Sequence, residues 1–181
     1  MSHHDAQADA RVLNKPNKIL LMGNPNVGKS IFFTEMTGIH ALSSNYAGST
    51  VSYTEGRLML CGMEFTLIDV PGTYSLTEPA SEAEAVAVKF VESGAVGIIC
   101  VLDATNLQRN LRLAMELRQY KIPLIYALNM ADIAERKGVT IDCKALEEEL
   151  GAPVVRTVAV KRQGLDEIMW HLEAIAIKSG D

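Results

Sequence analysis

Gly23-Asn24-Pro25-Asn26-Val27-Gly28-Lys29-Ser30 is the stretch on which the fold turns. Its spacing is GxxxxGK[ST], and its surroundings suit the mechanism that spacing serves. Lys18 to Met22 (KILLM) is a short apolar run ending at the first glycine, and Lys29 to Met36 reads as a helix stopped near Gly38. A strand that breaks into a glycine-rich turn and then a helix aims several backbone N–H groups at one point. The helix N-terminus adds positive potential there. Such a loop cradles phosphate, with Lys29 expected on the β- and γ-phosphates and Ser30 on Mg²⁺. The bland alternative is a strand–helix turn with no ligand.

Working outward, the chain has 181 residues, about one domain's worth. Its 17 basic and 22 acidic residues leave a formal charge of −5, which excludes a nucleic-acid binder relying on a large basic surface. A hydrophobic fraction of 48% excludes a disordered chain. Cys61, Cys100 and Cys143 are scattered without CxxC spacing, so neither a disulfide framework nor a zinc site is expected. Cys100 lies in an apolar run and reads as a small buried hydrophobe, and a reducing compartment is the simplest setting. The longest apolar stretch, Ala95 to Leu102, is far short of the ~20 residues of a bilayer span. The start, MSHHDAQADAR, is too polar for a secretory signal, and His3 and His4 alone make a poor metal site.

Residues 1–16 read as a flexible arm, 17–178 as the globular domain and 179–181 as a tail. His40 to Ser52 is rich in Ser, Asn and Gly and reads as an exposed loop. Ser52 to Leu60 and Glu64 to Val70 form a candidate hairpin around Cys61-Gly62. Ser81-Glu82-Ala83-Glu84 fits a capping box, the Ser81 hydroxyl accepting from the Glu84 N–H and the Glu84 carboxylate reaching back. Val96 to Leu102, Ile122 to Leu128 and Pro153 to Val158 read as further strands. Helices are expected over Glu82 to Ser93, Thr105 to Tyr120, Asp142 to Leu150 (ended by Gly151) and Leu165 to Ile177. In the second of these, Leu107, Leu111, Ala114 and Met115 form the apolar stripe. The alternation implies a three-layer α/β fold with a mostly parallel sheet and one antiparallel edge strand.

Two more motifs end strands. Asp69-Val70-Pro71-Gly72 places an acid where it can hold Mg²⁺ through water, and the Gly72 N–H where it can meet a γ-phosphate; alone it is only a turn signal. Asn129-Met130-Ala131-Asp132 places Asp132 to accept from guanine N1–H and the exocyclic amine, with Asn129 on the other edge of the base. Adenine lacks that donor pair, so an aspartate selects guanine by the cost of unpaired polar groups. The competing reading of Asp132 is a helix N-cap.

In this order the motifs resemble a Ras-like P-loop GTPase domain. GNPNVGKS, Asn45-Tyr46-Ala47-Gly48-Ser49-Thr50-Val51, DVPGTYSL, the run Asp103 to Leu111 (DATNLQRNL) and NMAD resemble, more narrowly, the cytosolic G domain of the bacterial ferrous-iron transport protein B family. The resemblance covers roughly residues 17 to 177. It implies binding of GTP and GDP, Mg²⁺ and an activating K⁺. Gly23, Asn24, Pro25, Asn26, Val27, Gly28, Lys29 and Ser30 hold the phosphates. Gly48, Ser49, Thr50, Val51 and Ser52 belong to switch I, with Thr50 closing on Mg²⁺ and the γ-phosphate. Asp69, Val70, Pro71 and Gly72 open switch II. Asn129, Met130, Ala131 and Asp132 read the base, backed by Val158, Ala159 and Val160. Mg²⁺ falls to Ser30, Thr50 and Asp69, and K⁺ to Asn26. Asn26, Lys29, Thr50 and Gly72 make the catalytic set.

The family carries Trp-Pro where this chain has Tyr46-Ala47, and a Ser-Ala-Lys-like loop where it has Val158-Ala159-Val160. The Ala159 N–H remains as a donor to guanine O6, without the serine hydroxyl or lysine stem. Tyr46 either caps the nucleotide or rests on the surface. His40 and His171 read as surface or helix residues. The resemblance also implies helical and transmembrane domains beyond this chain, on the cytoplasmic face of the bacterial inner membrane, and no nucleic-acid partner. The chain is then a fragment or a truncated relative, and self-association stays open.

Thr73 stands where such enzymes commonly place a water-orienting glutamine, and no arginine of the phosphate loop or switch I offers a finger; Arg57 lies beyond, on a strand. Hydrolysis is therefore expected to be slow, on the order of 10⁻⁴ to 10⁻² s⁻¹. Two alternatives remain: a nucleotide-dependent binding module with incidental hydrolysis, and a soluble GTPase of RNA or ribosome assembly. NMAD in place of NKxD and the charge of −5 count against the second.

Overall fold

The computed structural model describes residues 12–38 and 41–179. His3, His4, His40, most of the expected arm and the end of the expected tail lie outside the described residues.

Seven strands form a single sheet: β1 (Lys18–Gly23), β2 (Ala41–Asn45), β3 (Ser52–Leu60), β4 (Met63–Asp69), β5 (Gly97–Asp103), β6 (Leu124–Asn129) and β7 (Val154–Arg156). Their order is β2-β3-β4-β1-β5-β6-β7. The last five in that order run parallel, β3 runs against β4, and β2 runs against β3. Helices α1 (Lys29–Thr37), α2 (Glu82–Glu92), α3 (Leu107–Leu117), α4 (Ala131–Arg136), α5 (Cys143–Leu150) and α6 (Leu165–Ser179) complete a three-layer α/β domain.

Side chains alternate across a strand, so each central strand feeds two cores. Leu20, Met22, Ile98, Cys100, Tyr126 and Leu128 pack with Phe90 of α2 and Leu113 and Leu117 of α3. Ile19, Leu21, Ile99, Val101, Ile125 and Ala127 pack with Phe32 and Phe33 of α1 and Ile168 and Leu172 of α6. Burial on both faces is why β1, β5 and β6 read as nearly unbroken apolar runs.

Four expectations need correction. The loop expected from His40 to Ser52 contains β2, paired from Ala41↔Gly56 to Asn45↔Ser52. All five β2 side chains are exposed, so backbone pairing alone makes the strand and no apolar alternation announces it. The arm expected over 1–16 docks at its end: Val12 is buried in the first core and Lys15 pairs with Glu55. Met115 is exposed; Leu107, Leu111 and Ala114 of the expected stripe do face the core, joined by Asn110, Leu113, Glu116 and Leu117. The capping box is half formed, since Ser81 accepts from the Glu84 N–H at 3.2 Å but the Glu84 carboxylate turns to other amides.

The register brings the motif-bearing strand ends to one edge. Leu21 lies opposite Asp69, Gly23 opposite Val101, and Asp103 opposite Asn129. Parallel α/β sheets bind ligands at this carboxyl edge. A cavity of about 760 Å³ lies at the opposite edge, lined by Lys15, Lys18, Ser93, Pro123 and Lys178. There the ammonium of buried Lys18 donates to the carbonyls of Leu13 and Ser93, and burial lowers its pKa.

Candidate functional site

The loop from Gly23 to Ser30 is held by its neighbours. Asn129, buried at the end of β6, donates from Nδ2 to the Val27 carbonyl at 3.0 Å. Gly28 permits that approach: its φ is +91°, and a Cβ there would stand 2.5 Å from Asn129 Nδ2. Gly72 meets the loop from the other side, where a Cβ would come within 3.1 Å of the Pro25 backbone. Buried Asn24 donates to the Arg109 carbonyl at 3.1 Å, tying the loop to the start of α3. Asn26 is exposed and left-handed, with φ +67°, a conformation asparagine tolerates well.

Lys29 donates to the Asp69 carboxylate and to the Val70 carbonyl, the latter at 2.6 Å. Both charged side chains are largely buried. The structure therefore brings Lys29 and Asp69 together across 40 residues of chain. Ser30 is exposed in the first turn of α1.

Thr50 stands apart. It is exposed, and among the described residues no hydrogen bond joins it to Ser30 or Asp69. Its turn is pinned by Tyr46, whose N–H donates to the Val51 carbonyl at 2.7 Å and whose carbonyl accepts from the Ser49 N–H at 3.0 Å. Gly48 and Ser52 are exposed, while Ser49 and Val51 are half-buried. Tyr46 neither caps the site nor rests on the surface. It is buried, edge-on to Phe90 at 5.9 Å, with the Lys89 ammonium 5.1 Å from its ring centre.

The segment after Gly72 is laced to two helices. The Thr73 N–H donates to the Gly23 carbonyl at 3.1 Å, and its fully buried hydroxyl donates to the Ser75 carbonyl at 2.9 Å. The Glu84 carboxylate accepts from the Tyr74 N–H at 2.8 Å and the Ala80 N–H at 2.7 Å. The buried Glu116 carboxylate accepts from Ser75 Oγ (3.0 Å), the Leu76 N–H (2.5 Å), the Thr77 N–H (3.3 Å), Thr77 Oγ1 (2.9 Å) and Arg112 Nε (3.0 Å). Arg112 also reaches Glu78 at 2.6 Å. Burial pushes both carboxyls upward, but the bonds they accept, led by Tyr74 N–H for Glu84 and Leu76 N–H for Glu116, outweigh it and hold both below their ordinary value. The Arg109 guanidinium lies 4.7 Å from the Tyr74 ring centre, so the phosphate loop, α3 and this segment form one connected patch.

At the third motif, Met130 occupies the N-cap position of α4 in the left-handed region, Ala131 is buried, and Asp132 lies in the first turn. The N-cap reading of Asp132 is therefore wrong. Its carboxylate pairs with Lys161 Nζ at 2.8 Å and with Arg136 at 3.8 Å. The Lys161 hydrogen bond is the main cause that holds its pKa below the carboxylate norm. Asn129 Oδ1 accepts from the Ala159 N–H at 3.0 Å and from Thr157 Oγ1 at 3.4 Å. The Ala159 N–H, expected on guanine O6, is thus on Asn129 here, and Asn129 bridges the phosphate loop to the 157–160 loop. Val158 and Ala159 are buried and Val160 is exposed. Sequence reasoning missed Glu84, Arg109, Glu116 and Lys161. In the sequence Glu84 reads only as a capping-box residue and Arg109 only as part of the Asp103–Leu111 run, while Lys161 lies one residue beyond the loop where a lysine is sought.

Among the described residues no cluster of His, Cys, Asp and Glu could hold a metal ion by itself, and no helix is long and apolar enough to cross a membrane.

The family model described as "Ferrous iron transport protein B" matches residues 17–172. The Fe(2+) transporter FeoB of Salmonella typhimurium is 43% identical over 152 residues, covering 82% of this chain and 20% of the relative. That of Escherichia coli K12 is 41% identical over the same length. The chain thus spans about a fifth of these relatives. Among solved structures, the G domain of Thermotoga maritima FeoB is 35% identical with a TM-score of 0.81, covering 90% of this chain and 99% of that one. An S. thermophilus NFeoB mutant bound to mGDP is 37% identical with a TM-score of 0.81, covering 88% of this chain and 61% of that one.

Proposed function

This chain belongs to the ferrous iron transport protein B family, and from that premise we propose that it binds GTP and GDP at the carboxyl edge of its sheet and hydrolyses GTP slowly. In the full-length protein it then works on the cytoplasmic face of the inner membrane, its nucleotide state passing to helical and membrane domains that follow. Residues 17–178 form the nucleotide-binding domain. The observation that carries the reading is the convergence of Asp69 and Asn129, from two different strand ends, on one phosphate loop, Asp69 meeting Lys29 and Asn129 meeting Val27.

The donor chemistry fits the implied ions. Ser30 and Asp69 are hard oxygen donors of the kind Mg²⁺ takes, with Thr50 joining if its turn closes. Asn26 offers an exposed neutral amide oxygen, which suits a monovalent cation. When bound, such ions supply positive charge to phosphate oxygens as the terminal phosphoryl group leaves.

The chain's own groups do the rest. Lys29 exchanges the Asp69 carboxylate for phosphate oxygens. The Gly72 N–H meets the terminal phosphate, and Gly23 to Gly28 wrap the others with backbone amides. Asp132 accepts from the guanine edge. Thr73 is buried with its hydroxyl on Ser75, so it orients no water, which supports slow turnover.

Phosphate release by the chain with GTP and Mg²⁺, in K⁺ against Na⁺ buffer and with ATP as control, tests this. GTP-specific turnover is expected, faster in K⁺, with Asn26→Ala abolishing the difference. Equal rates in the two salts would remove the K⁺ role, and tight binding without turnover would favour the binding module.

A further inference from the structure

The geometry points to Lys161 as the residue that positions Asp132 for guanine. The inference rests on the guanine reading and adds to it a residue outside the three nucleotide motifs.

A carboxylate that must receive two donors from one edge of a base has to hold a fixed rotamer, or it discriminates weakly. Asp132 sits in the first turn of a six-residue helix and is partly open to solvent. Position 158, where a hydroxyl could steady it, is valine. Arg136, at 3.8 Å and largely exposed, is too remote and too mobile to fix it. Lys161 Nζ, at 2.8 Å from Oδ2, is the close partner.

The lysine is carried on a braced turn. The short 3₁₀ turn Ala159–Lys161 is fixed at its start by the Ala159 N–H on Asn129 Oδ1. Val158 and Gln163 exchange two backbone hydrogen bonds across it, at 3.1 and 3.2 Å. Arg162, the next residue, donates to the Glu35 carbonyl of α1 at 3.1 Å and pairs with the Glu35 carboxylate. The turn is thereby tied to β6 and α1, the elements that border the phosphate loop.

Lys161 does not compete with the base for all of Asp132. An ionised carboxylate has about four acceptor positions. The lysine takes one, on Oδ2, and the Ile133 N–H another, which leaves two for N1–H and the exocyclic amine. The lysine thus acts through Asp132, setting its direction, and is a positioning residue.

The test uses the whole chain, its Lys161→Met and Lys161→Arg variants, and competition binding with GDP, IDP and ADP. IDP lacks the 2-amino group, so the GDP/IDP affinity ratio reports whether Asp132 is in place. The unsubstituted chain should prefer GDP to both competitors. Lys161→Met should weaken GDP by about tenfold and IDP by less, so that the ratio shrinks severalfold; Lys161→Arg should restore most of it. Lys161 is more than half exposed, and equal urea midpoints would confirm that the variants fold alike. A GDP/IDP ratio unchanged in Lys161→Met would overturn the inference while leaving the guanine reading intact. An unsubstituted chain with no preference for GDP over ADP would overturn both.

Discussion

The two segments flanking the phosphate loop, 41–51 and 72–80, are held in opposite ways. The first is an outer strand with every side chain in solvent, followed by a turn anchored by buried Tyr46. The second is stitched to α2 by Glu84 and to α3 by Glu116, through backbone amides that would otherwise be unpaired. Segments with few buried contacts open at low free energy, and those with satisfied buried networks do not. A ligand can therefore redraw the first segment cheaply, whereas movement of the second must break charge-assisted hydrogen bonds. On the function proposed above, nucleotide sensing would be divided between a soft element and a stiff one.

The sharpest way to break this contrast is to remove the stiff element's anchor. Glu116→Ala leaves the Leu76 N–H, the Thr77 N–H and the Arg112 Nε–H without their acceptor, and a loss of about 3 kcal/mol is expected in urea unfolding. A loss below about 1 kcal/mol would mean the network adds little. The same anchors predict an acid limb. Glu84 and Glu116 are held below their ordinary 4.5, so their stabilisation is fully present above that value and is lost as pH falls through their depressed folded-state values. Wild type should lose stability in that range more steeply than Glu116→Ala. Parallel acid limbs for the two proteins would show that Glu116 is not the titrating anchor.

Next in size is the pin of the soft segment. Tyr46→Ala removes the ring that packs edge-on against Phe90, at a cost of about 2 kcal/mol, and amide exchange should rise over 46–51 while 73–80 stays protected. Equal loosening of both segments would contradict their independence. The smallest effect is expected at Leu42→Ser on β2. Leu42 is 68% exposed, so the unfolding free energy should shift by less than about 0.5 kcal/mol. A larger shift would show that β2 is supported by more than backbone pairing.

What could be read in advance follows from which residues are buried on a period. The central strands announced themselves because both faces are covered. Within the candidate site, Asp69 and Asn129 were legible because the chain must place them at strand ends to reach the Gly23–Ser30 loop. Glu116 was not: with Arg112 four residues earlier it has the spacing of an ordinary solvated pair on a helix surface. Its burial depends on residues 75–77 folding over it, 39 to 41 positions away in the chain.

The sequence by itself determined the layer architecture, the glycine-rich turn from Gly23 to Ser30, the placement of Asp132 just beyond a buried strand and the family, because those rest on local spacing and on periodicities that backbone geometry imposes. Only the tertiary structure decided that β2 exists, that Tyr46 turns inward, that Asn129 bridges two loops, and that Asp132 is held by Lys161. Each of these depends on a partner distant in sequence, and periodicity carries no information about which distant group will satisfy a backbone edge, a ring or a carboxylate.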